Sequence, residues 1–382
     1  MPDSSGATVF DDLPEWLVVD EILVRLPPKD ILRCRAVRKS WRSGTSTDKF
    51  ILDHHHRQPS LPIITHHEKG ICRLSGAGAS SDEKIQHILS IRYGRGTIIP
   101  VFFHAAYDGL LILQRQEDFY ICNPATRRCA SLPYPPLRLR NCGMDVVAFY
   151  RHHTSGELRV LWASYSIPDR SDDSVELPDY FVLAVGSDQP RRIQWPTVPD
   201  HGFPATRSSE CPPVHHRGSL HWALGLNITA FDTVAETFRQ MSRPAQLGNV
   251  AENWLSLLDM DGALALCSTG RGRVTLDVWV LQDYDAQTWG LQCQINLLAP
   301  PLDFFPSMAV INDRELLIQR CGDPLLRWDI DGVFLGNVES DEHYSCLSLT
   351  NHRLQESMIS LPLFEAQEED AVNKKPPFGM VM

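Results

Sequence analysis

Long apolar runs are missing from this 382-residue chain. No stretch approaches the roughly 18 consecutive apolar residues that a membrane-crossing helix needs, so no membrane partner is expected. Cysteine is sparse: ten residues are too dilute for a disulfide scaffold. The opening MPDSSGATVFDDLP has neither the charged n-region nor the apolar h-region of a secretory signal. The chain therefore reads as intracellular, reduced and soluble, and Asn227-Ile228-Thr229 as a chance match to a glycosylation acceptor. A surplus of basic charge is missing too. With 36 Lys and Arg against 47 Asp and Glu, the net charge of -11 offers no concentrated positive footprint, so no nucleic-acid partner is expected.

Catalytic and metal signatures are also scarce. The runs His54-His55-His56, His66-His67, His152-His153 and His215-His216 suggest metal, but neighbouring side chains on a strand point to opposite faces and no cysteines stand at zinc spacing. These histidines read as solvated loop and edge residues. Gly76-Ala77-Gly78-Ala79-Ser80 lacks the lysine and the strand-to-helix setting of a phosphate loop. Asp259-x-Asp261-Gly262 and Asp329-x-Asp331-Gly332 begin like calcium loops but lack the later ligands, and Asp-Gly between strands ordinarily makes a turn. No catalytic residue, metal or cofactor is expected. A serine, a histidine and an aspartate meeting in space remains open to the fold.

What is present divides into two unlike parts. Residues 1–20 carry five acids and no base, residues 21–57 carry nine bases and four acids, and the remaining 325 residues hold the whole -11. Within 12–50, Pro14 suits a first helical turn, and Leu17, Val18, Ile22 and Leu26 recur at helical spacing until Pro27 and Pro28 stop the run. A second helix carries Ile31, Leu32, Cys34 and Val37, and a third carries Trp41 and ends near Gly44. So small a unit cannot enclose all its large apolar side chains, which marks it as a protein-binding module. Ile22 and Val37 are expected to lean inward.

From about residue 60 the pattern becomes short apolar runs separated by Gly, Pro, Asp and Asn, the mark of a sandwich, barrel or propeller. Anchors at Gly109, Gly156, Gly218, Gly262 and Arg314, each opening a hydrophobic strand, recur at steps of 47, 62, 44 and 52. A repeat of that size fits a four-stranded propeller blade. Strand 61–66 and the tail strand near 344–350 are placed to share the blade that closes the ring. The expected fold is thus a small all-α three-helix module followed by a mainly β domain, a β-propeller of about six blades. The expected boundaries are 10–55, 60–361 and a disordered tail over 362–382.

LPEWLVVDEILVRLPPKDILRCRAVRKSWRS resembles the F-box, through Leu13-Pro14, Glu21-Ile22-Leu23, Leu26-Pro27, Leu32, Cys34-Arg35, Val37 and Lys39-Ser40-Trp41. Arg38 departs from the cysteine common in relatives. Asp108-Gly109-Leu110-Leu111, Tyr120-Ile121-Cys122-Asn123-Pro124-Ala125-Thr126-Arg127-Arg128 and Leu132-Pro133 resemble the propeller-like domain that follows the F-box in a large plant family. The resemblance implies a substrate-recognition subunit of an SCF-type E3 ubiquitin ligase. Such a subunit binds a Skp1-like adaptor, and through it a cullin-RING ligase, and tethers a target protein without supplying catalysis. It implies residence in the nucleus or the cytoplasm. Adaptor contact is expected from Leu13, Pro14, Leu17, Leu23, Leu26, Pro27, Leu32 and Trp41, and electrostatic steering from Arg33, Arg35 and Arg42. In the body, the long connections 166–179 and 196–217 are candidate rims of a target surface, with Trp195, Phe203 and Trp222 as candidate anchors. The alternatives are an enzyme on a propeller-like scaffold, and an adaptor-bound interaction protein with no role in degradation.

Overall fold

The computed structural model describes residues 13–66, 70–75, 84–91, 101–135, 142–166, 178–194, 212–224, 227–248, 255–260, 262–270, 272–297, 305–312, 314–320, 323–338, 347–370 and 378–380. The helical module begins with a wide turn, Leu17–Ile22, and a tight 3-10 turn, Leu23–Arg25. The two prolines end it. Leu26, ahead of Pro27, is extended (φ -78°, ψ 152°), and Pro28 opens α1 (Pro28–Val37), where an N–H would be unpaired anyway. Extended Arg38 separates α1 from α2 (Lys39–Gly44), and Thr47 caps α3 (Asp48–Arg57) by accepting the Phe50 N–H at 3.2 Å.

Two expectations fail in this module. The sequence pattern ends at Phe50 and leaves His54-His55-His56 in solvent, whereas α3 buries His54 and His55. His54 stacks on Phe50, one turn away at 5.9 Å, and its Nε2 meets the Leu26 carbonyl at 2.7 Å. Val37 does not lean inward: six residues beyond buried Ile31, it falls on another face of α1 and is 67% exposed. The core that does form holds Val18, Val19, Leu23, Val24, Ile31 and Phe50, and it borrows Met358 from the far end of the chain.

The body is a six-bladed β-propeller. Its strands are β1 (Ser60–His66), β2 (Gly70–Ser75) and β3 (Lys84–Ile91), then four complete strands per blade. The first blade has β4 (Val101–Tyr107), β5 (Leu110–Arg115), β6 (Asp118–Asn123) and β7 (Arg128–Ser131); the second has β8 (Cys142–Arg151), β9 (Leu158–Ser166), β10 (Asp179–Ala184) and β11 (Arg191–Ile193). The third has β12 (Val214–His216), β13 (Ser219–Leu224), β14 (Asn227–Asp232) and β15 (Thr237–Met241); the fourth has β16 (Leu255–Met260), β17 (Ala263–Thr269), β18 (Thr275–Asp283) and β19 (Thr288–Asn296). The fifth has β20 (Ser307–Asn312), β21 (Glu315–Gln319), β22 (Leu326–Asp329) and β23 (Phe334–Asn337). The ring closes as the sequence suggests, with β24 (Leu347–Gln355) pairing antiparallel to β1, Ser60 opposite Gln355 and His66 opposite Leu347. Arg353 secures the seam by donating to the Ser60 carbonyl (2.6 Å) and to the Val310 carbonyl of β20.

The repeat anchors are the hairpin turns between first and second strands. Asp108 and Gly109 both have positive φ (50° and 78°), as do Arg217 and Gly218 (48° and 70°), the turn geometry that matches strand twist. Six hydrophobic layers fill the gaps between neighbouring blades. Second strands therefore read as unbroken apolar runs: Leu110 and Ile112 face the second blade while Leu111 and Leu113 face the closing blade. The hairpin turns and the helical module share one face of the ring. Strand ends Ser166 and Asp179, which flank the first long connection, lie toward the other.

The expected disordered tail is not what the structure has at 362–370 and 378–380. Residues Pro362–Asp370 form α4, which sinks Phe364, next to Leu361, into the layer between first and second blades. Phe378–Met380 forms β25, a fifth strand on the outer edge of β3. The acidic and Pro-rich composition conceals these few apolar anchors. Cys122 and Cys129 are directly opposed on β6 and β7, with Cα atoms 4.1 Å apart and their sulfurs in contact.

Candidate functional site

Packing consumes some of the predicted module residues and spares others. Leu23 is 3% exposed and lies in the mini-core, so it is not a surface contact. Pro14 and Pro27 are exposed, and Leu13, Leu17, Leu26, Leu32 and Trp41 are half-buried, with Leu13, Leu26 and Trp41 packed against the rim of that core. Trp16 (62% exposed), Val37 and Leu52 add large apolar surface that the sequence reading did not select. The signal for Trp16 was present. It stands between Pro14 and Leu17, and the opening turn buries Val18 and Val19 while turning Trp16 outward.

The basic residues divide similarly. Arg33 and Arg42 are exposed, Arg33 in an i,i+3 pair with Asp30 at 3.0 Å, which contributes little in water. Arg35 is committed internally: its guanidinium donates to Thr45 Oγ1 (3.0 Å) and to the Thr45 carbonyl (2.5 Å), tying α1 to the end of α2. It braces the two helices while keeping its charge. Arg38 lies 5.3 Å from the Trp41 ring centroid, a cation–π contact that gives the departure from the family's cysteine a local role.

The module meets the propeller through the segment after β24. The Glu356 carbonyl accepts from His55 Nδ1 at 3.0 Å, Gln355 Nε2 donates to the carbonyls of His55 (2.9 Å) and Gln58 (3.0 Å), and Met358 enters the module core. From the other side, Asn123 of the NPATRR motif is fully buried, and its Nδ2 donates to the carbonyls of Ser357 (3.1 Å) and Ile359 (2.9 Å). Its Oδ1 caps its own turn by accepting the Thr126 N–H at 3.2 Å. Asp232, Asp283 and Asp329 cap the equivalent turns of the third, fourth and fifth blades with a carboxylate where the first blade has an amide. The motif is thus a clamp for residues 356–361.

A serine, a histidine and an aspartate do meet at this junction, with no nucleophile poised. Ser357 Oγ donates to the backbone carbonyl of Asp108 at 2.6 Å. The His55 ring is occupied by the Glu356 carbonyl at one nitrogen and faces Asp108 Oδ1 at 3.7 Å with the other, so neither is left for Ser357. Arg151 donates twice to Asp108 Oδ2, at 2.9 and 2.6 Å. Burial opposes charge on His55, but the Asp108 carboxylate and the Glu356 carbonyl outweigh it and hold the imidazole above its ordinary value. Burial likewise opposes charge on Asp108, and the bonds from His55 and Arg151 hold it below the usual carboxylate range. These are the marks of a structural ion network.

A cavity of about 430 Å³ opens at the centre of the ring beside this junction, lined by His55, Tyr107, Asp108, His215, Asp259 and His352 among others. His215 lies against Tyr107, ring centroids 4.9 Å apart, and burial pushes the Tyr107 hydroxyl up to about 12. That hydroxyl is neutral at pH 7. Among the described residues no group of three His, Cys, Asp or Glu side chains could hold a metal ion, and no helix is long and apolar enough to cross a membrane.

Of the predicted body anchors, Trp195 and Phe203 lie outside the described residues. Trp222 is 2% exposed in the layer between second and third blades, so it is core and not an anchor: Leu220 and Trp222 alternate along β13 with Ser219 and His221, which are buried on its other face, and cluster with Phe231.

Residues 79–305 match the family model described as the F-box associated beta propeller domain, a span that leaves the helical module outside it. A protein of Arabidopsis thaliana named for an F-box and kelch repeats is 24% identical over 309 residues, which are 74% of this chain and 71% of the relative. An F-box protein of the same plant is 26% identical over 316 residues, covering 78% of this chain and 81% of the relative. Among solved structures, an auxiliary nutrient binding protein from Bacteroides ovatus aligns over 78% of this chain and 69% of its own with a TM-score of 0.37 and 8% identity.

Proposed function

The chain belongs to the F-box associated beta propeller family, and from that premise we propose that it is the substrate-recognition subunit of an SCF-type E3 ubiquitin ligase. In this reading residues 13–57 dock a Skp1-like adaptor, which brings a cullin-RING ligase, and the propeller holds a target protein in the nucleus or the cytoplasm. The work is tethering: the target is presented at high effective concentration to a ubiquitin-charged partner, and this chain supplies neither nucleophile nor base. The full occupation of the His55 ring nitrogens at the junction supports a structural use of that cluster over a catalytic one.

One observation carries the reading. Among the described residues, a module whose hydrophobic cluster has six buried side chains of its own leaves Pro14, Trp16, Pro27, Val37 and Leu52 exposed while it is also fastened to the propeller. Large aromatic and apolar side chains of that kind are the usual centre of a protein interface. Arg33 and Arg42 at the rim would speed encounter with an acidic adaptor more than they tighten the final complex. The test is capture of a Skp1-type adaptor by the full-length chain and by variants Leu13→Ala with Pro14→Ala, and Trp16→Ala. Loss of about 2 kcal/mol, roughly thirtyfold in affinity, is expected from a central anchor. Undiminished capture by folded variants overturns the assignment. Capture of adaptor without cullin in the same pull-down would favour an interaction protein with no ligase role.

A further inference from the structure

On the same face as the module, diametrically across the ring, the third and fourth blades bring a cationic cluster together. Tyr284, in the turn between β18 and β19, has the Arg217 guanidinium carbon 5.3 Å from its ring centroid and that of Arg239 at 5.1 Å. The His216 ring lies 5.4 Å from the same centroid. The centre of the cluster is fixed by one chain of hydrogen bonds. His221 Nδ1 donates to the Val214 carbonyl (3.2 Å), its Nε2 accepts from the Tyr284 hydroxyl (3.0 Å), and the Tyr284 oxygen accepts from Arg239. Burial, with smaller contributions from the cations around it, holds His221 down to about 4, so it is neutral and this direction of donation stands at pH 7. The Tyr284 hydroxyl is therefore spent, whereas the guanidiniums are not. Arg239 uses one donor in this chain, and among the described residues neither Arg217 nor Arg239 lies within ion-pair distance of a carboxylate.

That is unusual economy in a chain with 47 acidic residues and a net charge of -11. Elsewhere on the propeller several arginines are paired with carboxylates, as Arg192 is with Asp179 and Arg327 with Glu315. Here two guanidinium carbons lie 5.3 and 5.1 Å from one aromatic ring centroid, a cation–π arrangement that leaves N–H groups to donate. Two such forks around one ring can donate to an oxyanion of two charges. We infer that Arg217, Arg239 and Tyr284 form an anion-recognition site for a target segment bearing a phosphorylated serine or threonine, or two adjacent carboxylates. The inference rests on the receptor reading above and adds the chemistry of the partner. It also places target and adaptor on one face of the ring.

The test uses the full-length chain and beads densely coated with one of three short Gly-Ser peptides, carrying a phosphoserine, a Glu-Glu pair or an unmodified serine. Capture by either anionic peptide over the unmodified one is expected, weakening from low to high salt. Preference between the two identifies the phosphoryl or the carboxylate source. Arg217→Gln and Arg239→Gln should each reduce capture about tenfold. Arg217→Lys, which keeps the charge and loses the fork, should fall between. Arg217 makes no hydrogen bond in the chain through Tyr284, so its variant also separates recognition from folding: an unchanged melting temperature with lost capture supports the site. Equal binding to all three peptides, or full capture by the Arg217→Gln and Arg239→Gln double variant, overturns it. Adaptor capture measured on the same preparations keeps the two readings apart, because it depends on the module alone.

Discussion

Asn123→Asp is close to isosteric and separates the two tasks of the NPATRR clamp. The carboxylate can still accept the Thr126 N–H, the capping role that Asp232, Asp283 and Asp329 fill in other blades. What it loses is donation. In place of the amide nitrogen, an oxygen would face the carbonyls of Ser357 and Ile359, now at 3.1 and 2.9 Å, in a fully buried position. Leaving a buried acceptor without its donor costs about 1–3 kcal/mol, so the two together should cost about 3 kcal/mol. A charge held against two carbonyl oxygens adds to that. Burial and the carbonyls would also raise the new carboxyl's pKa. A raised pKa means the deficit relative to the parent is smallest below the unfolded value of about 3.9 and grows as pH rises through the folded one. The assay is urea unfolding of parent and variant from pH 4 to 8, with limited proteolysis across residues 356–361. If Asn123→Asp unfolds at the parent's urea midpoint at pH 7, the clamp makes no contribution and the reasoning is refuted.

Three further outcomes follow from the same geometry. Gly109→Ala should destabilise far more than Gly156→Ala: both have positive φ, but a Cβ at 109 would lie 2.6 Å from the Ser357 backbone nitrogen, and at 156 it meets nothing, leaving about 1 kcal/mol of backbone cost. Thermal unfolding of the pair checks this, and equal losses would count against the close approach at Ser357. Arg35→Ala should lower the stability of the module by about 1–2 kcal/mol through its lost bonds to Thr45, whereas Arg33→Glu with Arg42→Glu should leave stability unchanged and slow adaptor association at low salt, read by stopped flow. Burial holds His54, His221 and His352 below the ordinary imidazole value, the last two at about 4 and 3. The unfolded chain therefore gains protons that the folded one does not, and stability should fall as pH drops below about 6.5. His55, raised by Asp108, works in the opposite sense and loses its contribution as pH rises through its folded value, so one group opposes three. A melting temperature that rises from pH 7 to 5 would contradict this.

Periodicity and turn chemistry are local properties, and they made the architecture legible in the sequence. Proline pairs stop helices wherever they stand, Asp-Gly turns close hairpins by their own φ preference, and second strands covered on both faces must be apolar throughout, as Leu110–Leu113 are. Repetition of those signals marked the blades, and the free strands at the two ends marked the closure. The surplus of apolar side chains in the first 57 residues pointed to apolar surface left outside the module's own core for the same reason: core volume is bounded by length.

Tertiary structure alone decided which side each residue serves. Nothing local distinguishes Leu23, which is buried, from Pro14 or Trp16, which are exposed, because the answer depends on how the opening turn winds and on Met358 arriving from the other end of the chain. Arg35 reads as one more basic residue until Thr45 is brought within 3.0 Å. The amide of Asn123 looks like an ordinary turn residue until residues 357–359 cross it, and Arg217, Arg239 and Tyr284 become neighbours only because the third and fourth blades stack. Secondary structure is written in spacings of two to four residues, which a sequence displays directly. Burial and charge pairing are set by contacts across up to 300 residues, as between Gln355 and His55, and only the closed ring supplies those.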